Sequence, residues 1–329
     1  MWKKISAIVI PTAIAVALIC FMLCRVWGDL LEAAQYIVPA WLLAAVAVCV
    51  GAWFLRGFRY QHILKRLETE VKLWFSTACI FVSQTANIVV PARLGDFVRL
   101  FILKHEKQMP YTSGFTALIA ERVYDILIIA VLGLCSLPFL ISLIPKEYEW
   151  FIWLMVAVIA CGAAGVAVLV AARKLHAENT IIKKVLEIFA QFRTVSGTPG
   201  AFGLLSATSV IIWMMDVVIC YIVTLMFGLT INFWLVLLAI VIGNLIKAVP
   251  ITPGGIGTYE LALVVVFEIG GVPAATATLV AVIDHLIKNG VTLLGGIVSL
   301  YYFGDWSVSL FKRLFKEDKK ILTEEHDDR

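Results

Sequence analysis

The chain has 329 residues, 61% of them hydrophobic and 15% charged, with a mean hydropathy of +0.95 and a formal net charge of +4. Soluble domains sit near half apolar and a quarter charged, so this composition excludes a soluble globular protein and specifies an integral membrane protein. Long apolar runs favour helices over the short alternating strands of a barrel, no stretch is polar enough to fold as a separate soluble domain, and the modest charge carries no nucleic-acid signature.

MWKK followed by the apolar run Ile5–Cys24 imitates a signal peptide. The run is too long for one and no small-x-small cleavage site follows, so it reads as an uncleaved first span. Further apolar segments of spanning length lie at about 40–55, 113–144, 150–172, 202–227 and 272–303. Two more, about 73–103 and 233–269, are broken in the middle by Pro and Gly.

Basic residues orient the spans, because cytoplasmic loops are enriched in Lys and Arg. Lys3 and Lys4 place the N-terminus inside; Arg56, Arg59, Lys65, Arg66 and Lys72 read as a second cytoplasmic loop. Arg173, Lys174, Lys183, Lys184 and Arg193 mark the inside again, and Lys312, Arg313, Lys316, Lys319 and Lys320 place the tail inside. The 25–39 loop and the acid-leaning 145–150 turn suit the outside. These assignments agree only if each broken region crosses the membrane an even number of times. Re-entrant hairpins satisfy this, one opening inward and one outward; two short full spans at 233–269 are the alternative.

The expected fold is therefore all-α: about six full spans plus two Pro/Gly-broken re-entrant hairpins (eight spans if these are counted otherwise), N-in and C-in. One transmembrane domain covers 1–305, with repeat cores at about 73–144 and 233–303, and a short charged cytoplasmic tail covers 306–329.

The broken regions resemble each other. NIVVPARLGDFVRL (87–100) and NLIKAVPITPGGIGTYEL (244–261) each hold an Asn (Asn87, Asn244), then Pro-x-x-x-Gly (Pro91 and Gly95, Pro253 and Gly257), then an acid (Asp96, Glu260). The offset of the acid differs by two residues. ERVYD (121–125) and DHLIK (284–288) follow at nearly constant distance. With opposite orientations the two copies form an inverted repeat, and Pro/Gly-interrupted segments at matching positions point to a transporter's binding site. The repeat predicts a polar cavity between the hairpins, with Gly254, Gly255 and Gly257 allowing the turn and Glu260 as the charge its tip presents.

Intramembrane charges are costly and default to a functional reading. Arg93 sits beside open backbone suited to a phosphate; Asp96 and Arg99 share a helical face, with snorkelling interface charges as the other reading. Glu121 and Asp125 share a face able to pair with Arg93 or Arg99, while Arg122 is expected to point elsewhere. Asp284, His285 and Lys288 repeat that layout, and Lys247 brings positive charge to the cavity. Asp216 reads as a hydrogen-bonding partner of a neighbouring helix, with proton coupling as the alternative. The seven cysteines (Cys20, Cys24, Cys49, Cys79, Cys135, Cys161, Cys220) lie in apolar runs and read as buried small hydrophobes. His62, His105, His176 and His326 read as loop or tail residues, so no metal site or cofactor is expected. No motif of Ser-x-x-Lys, HExxH or Gly-x-Ser-x-Gly type is present, and enzymatic chemistry is not expected.

Taken in order, NIVVPARLGDFVRL, ALIAERVYDIL, VPITPGGIGTYELAL and DHLIKNGVTLLGGI resemble the lysylphosphatidylglycerol synthase transmembrane region family, the flippase-like integral membrane proteins. The resemblance covers roughly residues 5–305. That family often has Glu after the first glycine and Arg in the last motif, where Asp96 and His285 stand here. In lipid-lysylating members a soluble aminoacyl-transferase domain follows, which this chain is expected to lack. The resemblance thus implies a multi-pass protein of the cell inner membrane that moves a lipid across the bilayer. Its expected partners are membrane lipids bearing phosphate (phospholipid or polyprenyl-phosphate-linked), with a lipid-modifying enzyme as a possible protein partner. Arg93, Arg99 and Lys247 favour a phosphate-bearing headgroup. The other reading is a membrane enzyme or subunit of a lipid or glycan-lipid pathway.

Overall fold

The computed structural model describes residues 39–89, 93–140, 180–249 and 252–304, with the isolated positions 157 and 160. The readings of 5–24, of the 25–38 loop, of Pro91, of the 145–150 turn, of the 150–172 span and of the C-terminal tail lie outside these residues.

Among the described residues the chain is helical and has no strand. The helices are α1 (Pro39–Arg66), α2 (Leu73–Val89), α3 (Gly95–Lys107), α4 (Tyr111–Leu140), α5 (Thr180–Ser196), α6 (Pro199–Met226), α7 (Phe233–Ala248), α8 (Thr258–Ile269) and α9 (Ala274–Phe303). A single 3₁₀ turn, Pro253–Gly255, lies between α7 and α8. Four of them, α1, α4, α6 and α9, are long and apolar enough to cross a membrane.

Local signals set the ends. Thr198 accepts a hydrogen bond from Ala201 N–H ahead of Pro199, which starts α6 at a position where proline loses nothing. Asn232 does the same for α7 through Trp234 N–H. At the start of α8, Glu260 reaches back to the Gly257 N–H at 2.8 Å, the carboxylate half of a capping box.

The first broken region folds as the α2–α3 hairpin and the second as α7–α8, each with its break where Pro and Gly interrupt the apolar run. Packing between the halves is reciprocal. The long helix α4 lies against α7 of the second hairpin, and the long helix α9 lies against α2 of the first, while α1 and α6 pack on each other. Close approach of α9 to α2 depends on small residues: a Cβ on Gly295 would run into the Phe81 ring, and one on Gly296 into Thr85. The outer face of α9 leaves Leu286, Leu294, Val298 and Tyr301 exposed, as expected of a surface that meets lipid.

Three readings need correction. The second span is not confined to 40–55: α1 runs to Arg66, so Arg56 and Arg59 are helical and turn into the bundle instead of marking a loop. His62 and His105 are on helices α1 and α3 and not in loops. Cys49, Cys79 and Cys220 are buried, but Cys135 is exposed on α4.

Candidate functional site

Both hairpin tips open on one cavity of about 360 Å³. From the first hairpin come Gln84, Asn87, Arg93, Asp96 and Arg99; from the second, Asn244, Lys247, Gly254, Gly255 and Tyr259. Helices α1, α4, α6 and α9 close the sides with Arg56, Arg59, Glu121, Arg122, Asp125, Asp216 and Lys288, alongside Trp53 and Trp213. The tips touch: a Cβ on Gly254, which holds a φ of 62°, would stand 3.3 Å from the Ile88 Cα at the end of α2.

Seven cationic side chains and four carboxylates line this cavity. Each carboxylate has a different arginine as its closest partner. Arg56 Nη2 donates to both oxygens of Asp216 at 3.1 Å, joining α1 to α6. Arg59 holds Asp125 of α4 through two bonds, of 2.7 and 3.2 Å, and donates to Ser209 Oγ as well. Arg99, 2% exposed, donates to Glu121. Arg122 Nη2 donates to Asp96 Oδ2 at 2.7 Å, while the other oxygen of Asp96 accepts from Asn87, Ser83 and Gln84. Such pairing is the condition under which guanidinium groups persist at this depth, since breaking a buried pair leaves an uncompensated charge.

Three cations remain. Lys288 donates to Asp284, which lies behind the cavity wall with 0% exposure, and to Tyr259 Oη. Among the described residues Arg93 forms an ion pair only with Asp96, at 3.9 Å, a carboxylate already held by Arg122 and by Arg99 at 3.5 Å. Lys247 meets no carboxylate among the described residues; its ammonium lies 3.1 Å from His285 Nε2 and over the Tyr259 ring. The unshared positive charge is thus carried by one residue from each hairpin, Arg93 at a φ of 55° and Lys247 beside Gly255. A guanidinium and an ammonium facing a space of this size suit a compact anion such as a phosphate.

Of the site residues expected from sequence, Asn87, Arg93, Asp96, Arg99, Glu121, Arg122, Asp125, Asn244, Lys247, Gly254, Gly255 and Lys288 line the cavity. Gly95 does not: it lets α3 pack on α2, where a Cβ would collide with the backbone of Ser83 and Asn87. Pro253 and Gly257 shape the second tip behind the lining. Asp284 and His285 stand one layer back.

Other expectations are overturned. Glu260 does not present its charge to the cavity; it is 4% exposed, caps α8 and bonds to His285, because a glutamate at the third helical position reaches its own helix end. Arg122 does not point away but pairs with Asp96, and Asp125 pairs with Arg59 and not with Arg93 or Arg99. Arg56, Arg59, Trp53, Trp213 and Tyr259 were missed as site residues. A signal for the two arginines existed: they are three apart on one face of an apolar helical pattern that continues through Tyr60, Ile63 and Leu64.

A model of the lysylphosphatidylglycerol synthase TM region matches residues 8–296. Glycosyltransferase AglD of Haloferax volcanii is 33% identical over 330 residues, covering 88% of this chain and 52% of the relative. UPF0104 membrane proteins of Methanocaldococcus jannaschii and Pyrococcus horikoshii are 25% and 27% identical, over 65% and 79% of this chain and 92% and 86% of theirs. The chain spans about half the length of the Haloferax relative and most of the other two. No solved structure matches it.

Proposed function

The chain belongs to the lysylphosphatidylglycerol synthase TM region family of membrane proteins, and from that premise we propose that it moves a phosphate-bearing lipid, or a lipid-linked headgroup, across the bilayer. The observation that carries this reading is the cavity reached by both hairpin tips, where Arg93 and Lys247 hold positive charge that no carboxylate of their own neutralises. The headgroup phosphate binds between them, and the acyl or prenyl chain stays in the lipid beside the bundle.

Alternating access follows from an inverted repeat, α2–α4 against α7–α9. Its supports are the reciprocal packing of α4 on α7 and α9 on α2, and the matching contacts Asp96–Arg122 and Glu260–His285, each joining the second arm of a hairpin to the following long helix. The arms α2 and α7 have 17 and 16 residues, about 25 Å of helix, and α3 and α8 are shorter. Against a hydrocarbon core of about 30 Å, that favours re-entry over full crossing. An N-in, C-in chain with about six full spans in the inner membrane, as one transmembrane domain with a charged tail, completes the proposal.

Purified protein in liposomes carrying fluorescent headgroup-labelled lipids tests this, with an anionic glycerophospholipid in one arm and a polyprenyl phosphate in the other. Labelled lipid should become accessible to a membrane-impermeant quencher faster than in protein-free vesicles. No acceleration in either arm sinks the reading. The name of the Haloferax relative favours a second reading, a membrane enzyme or subunit acting on a lipid-linked glycan; a protein-dependent mass change in the lipid would establish it in place of transport.

A further inference from the structure

From Lys247 at the cavity to His285 and Glu260 behind its wall runs a chain of hydrogen bonds. Glu260 Oε2 accepts the Gly257 N–H, and its Oε1 lies 2.7 Å from His285 Nδ1. His285 Nε2 lies 3.1 Å from Lys247 Nζ. A carboxylate only accepts, so Nδ1 carries the ring proton; Nε2 then holds a lone pair that accepts from the Lys247 ammonium. Glu260 and His285 are 4% and 2% exposed, whereas Lys247 lines the cavity. The lysine therefore covers the one basic atom of the ring.

This arrangement has a consequence if an anion enters. A phosphate that draws the Lys247 ammonium toward itself takes away the cation that reaches Glu260 through the ring, leaving a buried carboxylate against a neutral imidazole. It also uncovers Nε2. We propose that His285 is a proton-binding site coupled to the anion site, so that each phosphate bound brings one proton with it.

The charges balance. Before binding, Glu260 is negative, His285 neutral and Lys247 positive. Afterwards Lys247 pairs with the phosphate, and His285, protonated at Nε2 by a proton from water in the cavity, pairs with Glu260. For a phosphodiester the event is electroneutral. The tip senses it directly, because Gly257, at a φ of 85°, hangs on the same carboxylate.

The neighbours of His285 leave this role to Glu260 and Lys247. From α8, Tyr259 lies tilted against the ring at 4.6 Å and gives its hydroxyl hydrogen to Asp284. On α9 itself, Asp284 and Lys288 hold each other. Asp216 and Cys220 of α6, with Arg56 and Cys49 of α1, gather around Lys288 and Asp284 instead. Helix α2 carries no charged side chain.

The inference rests on the cavity being a phosphate site, and the test separates the two. The full chain in detergent is titrated calorimetrically with two soluble phosphodiesters that stay singly negative near neutral pH, dihexanoylphosphatidylglycerol and farnesyl methyl phosphate. Each titration is run in two buffers of different ionisation enthalpy. About one proton should be taken up per probe bound, and affinity should fall about tenfold per pH unit wherever that uptake is complete. His285→Gln keeps a neutral side chain that can donate to Glu260 or accept from Lys247 but has no proton site; it should bind with no uptake and a flat pH profile. Wild-type binding without uptake overturns the proton site alone, as does uptake that survives in His285→Gln. Failure of both probes to bind overturns the phosphate reading and this inference with it. If His285→Gln does not fold, the two-buffer measurement on the wild type decides.

Discussion

The two hairpins share an Asn, a Pro-x-x-x-Gly break and an acid, yet they use the acid in opposite ways. Asp96 comes one residue after its glycine, faces the cavity and collects Arg122, Arg99 and Arg93. Glu260 comes three after its glycine and turns inward to cap its own helix and hold His285. Two residues along a helix rotate a side chain by roughly 200°, enough to exchange cavity for core. The first hairpin thus presents one carboxylate among several guanidinium groups, with Arg93 in excess, and the second presents Lys247 backed by a relay. A small offset between repeats is sufficient to give two similar breaks different chemistry.

The comparison can be broken first where charge is most deeply buried. Arg99→Leu leaves Glu121 without its donor and should cost about 3–5 kcal/mol, read as a large fall in thermal unfolding temperature in detergent; the double variant Arg99→Leu/Glu121→Leu should recover most of the loss in stability but not in transport. Gly254→Val strains a left-handed position against Ile88 and should cost about 1–3 kcal/mol, with vesicle transport lost even in the folded fraction. If transport per folded molecule is unchanged, the second tip is a structural turn only. Glu260→Ala removes a cap and the partner of His285, for about 1–2 kcal/mol; Asp96→Ala should differ by impairing transport out of proportion to its stability. The smallest expected change in stability, within about 0.5 kcal/mol, is that of Arg93→Gln, whose side chain is 31% exposed. It should lower transport roughly tenfold all the same, a loss of about 1.4 kcal/mol in binding. Equal transport in that variant would show that the first hairpin contributes shape and no charge to the ligand.

Much of this was legible along the chain. Apolar runs marked helices because a membrane leaves the backbone little choice, and the Pro/Gly breaks marked hairpins because few other sequences interrupt such runs. Of the twelve expected site residues that line the cavity eight are ionisable, and an ionisable group in an apolar segment is rarely there without a partner. Arg56 and Arg59 were misread because a cluster of basic residues at the end of a span looks like a loop until its partners are seen.

Those partners lie far away in sequence. Arg56 and Asp216 are separated by 160 positions, Arg59 and Asp125 by 66, and Lys247 and His285 by 38. The sequence by itself determined that the protein is helical and membrane-embedded, where its two helices break, and which charges must be satisfied within the bundle. Only the tertiary structure decided which carboxylate satisfies which cation, and so which cations are left to meet a ligand. Composition and periodicity report the cost of placing a charge in the membrane; the compensating charge comes from another helix, and its position is known only once the helices have packed.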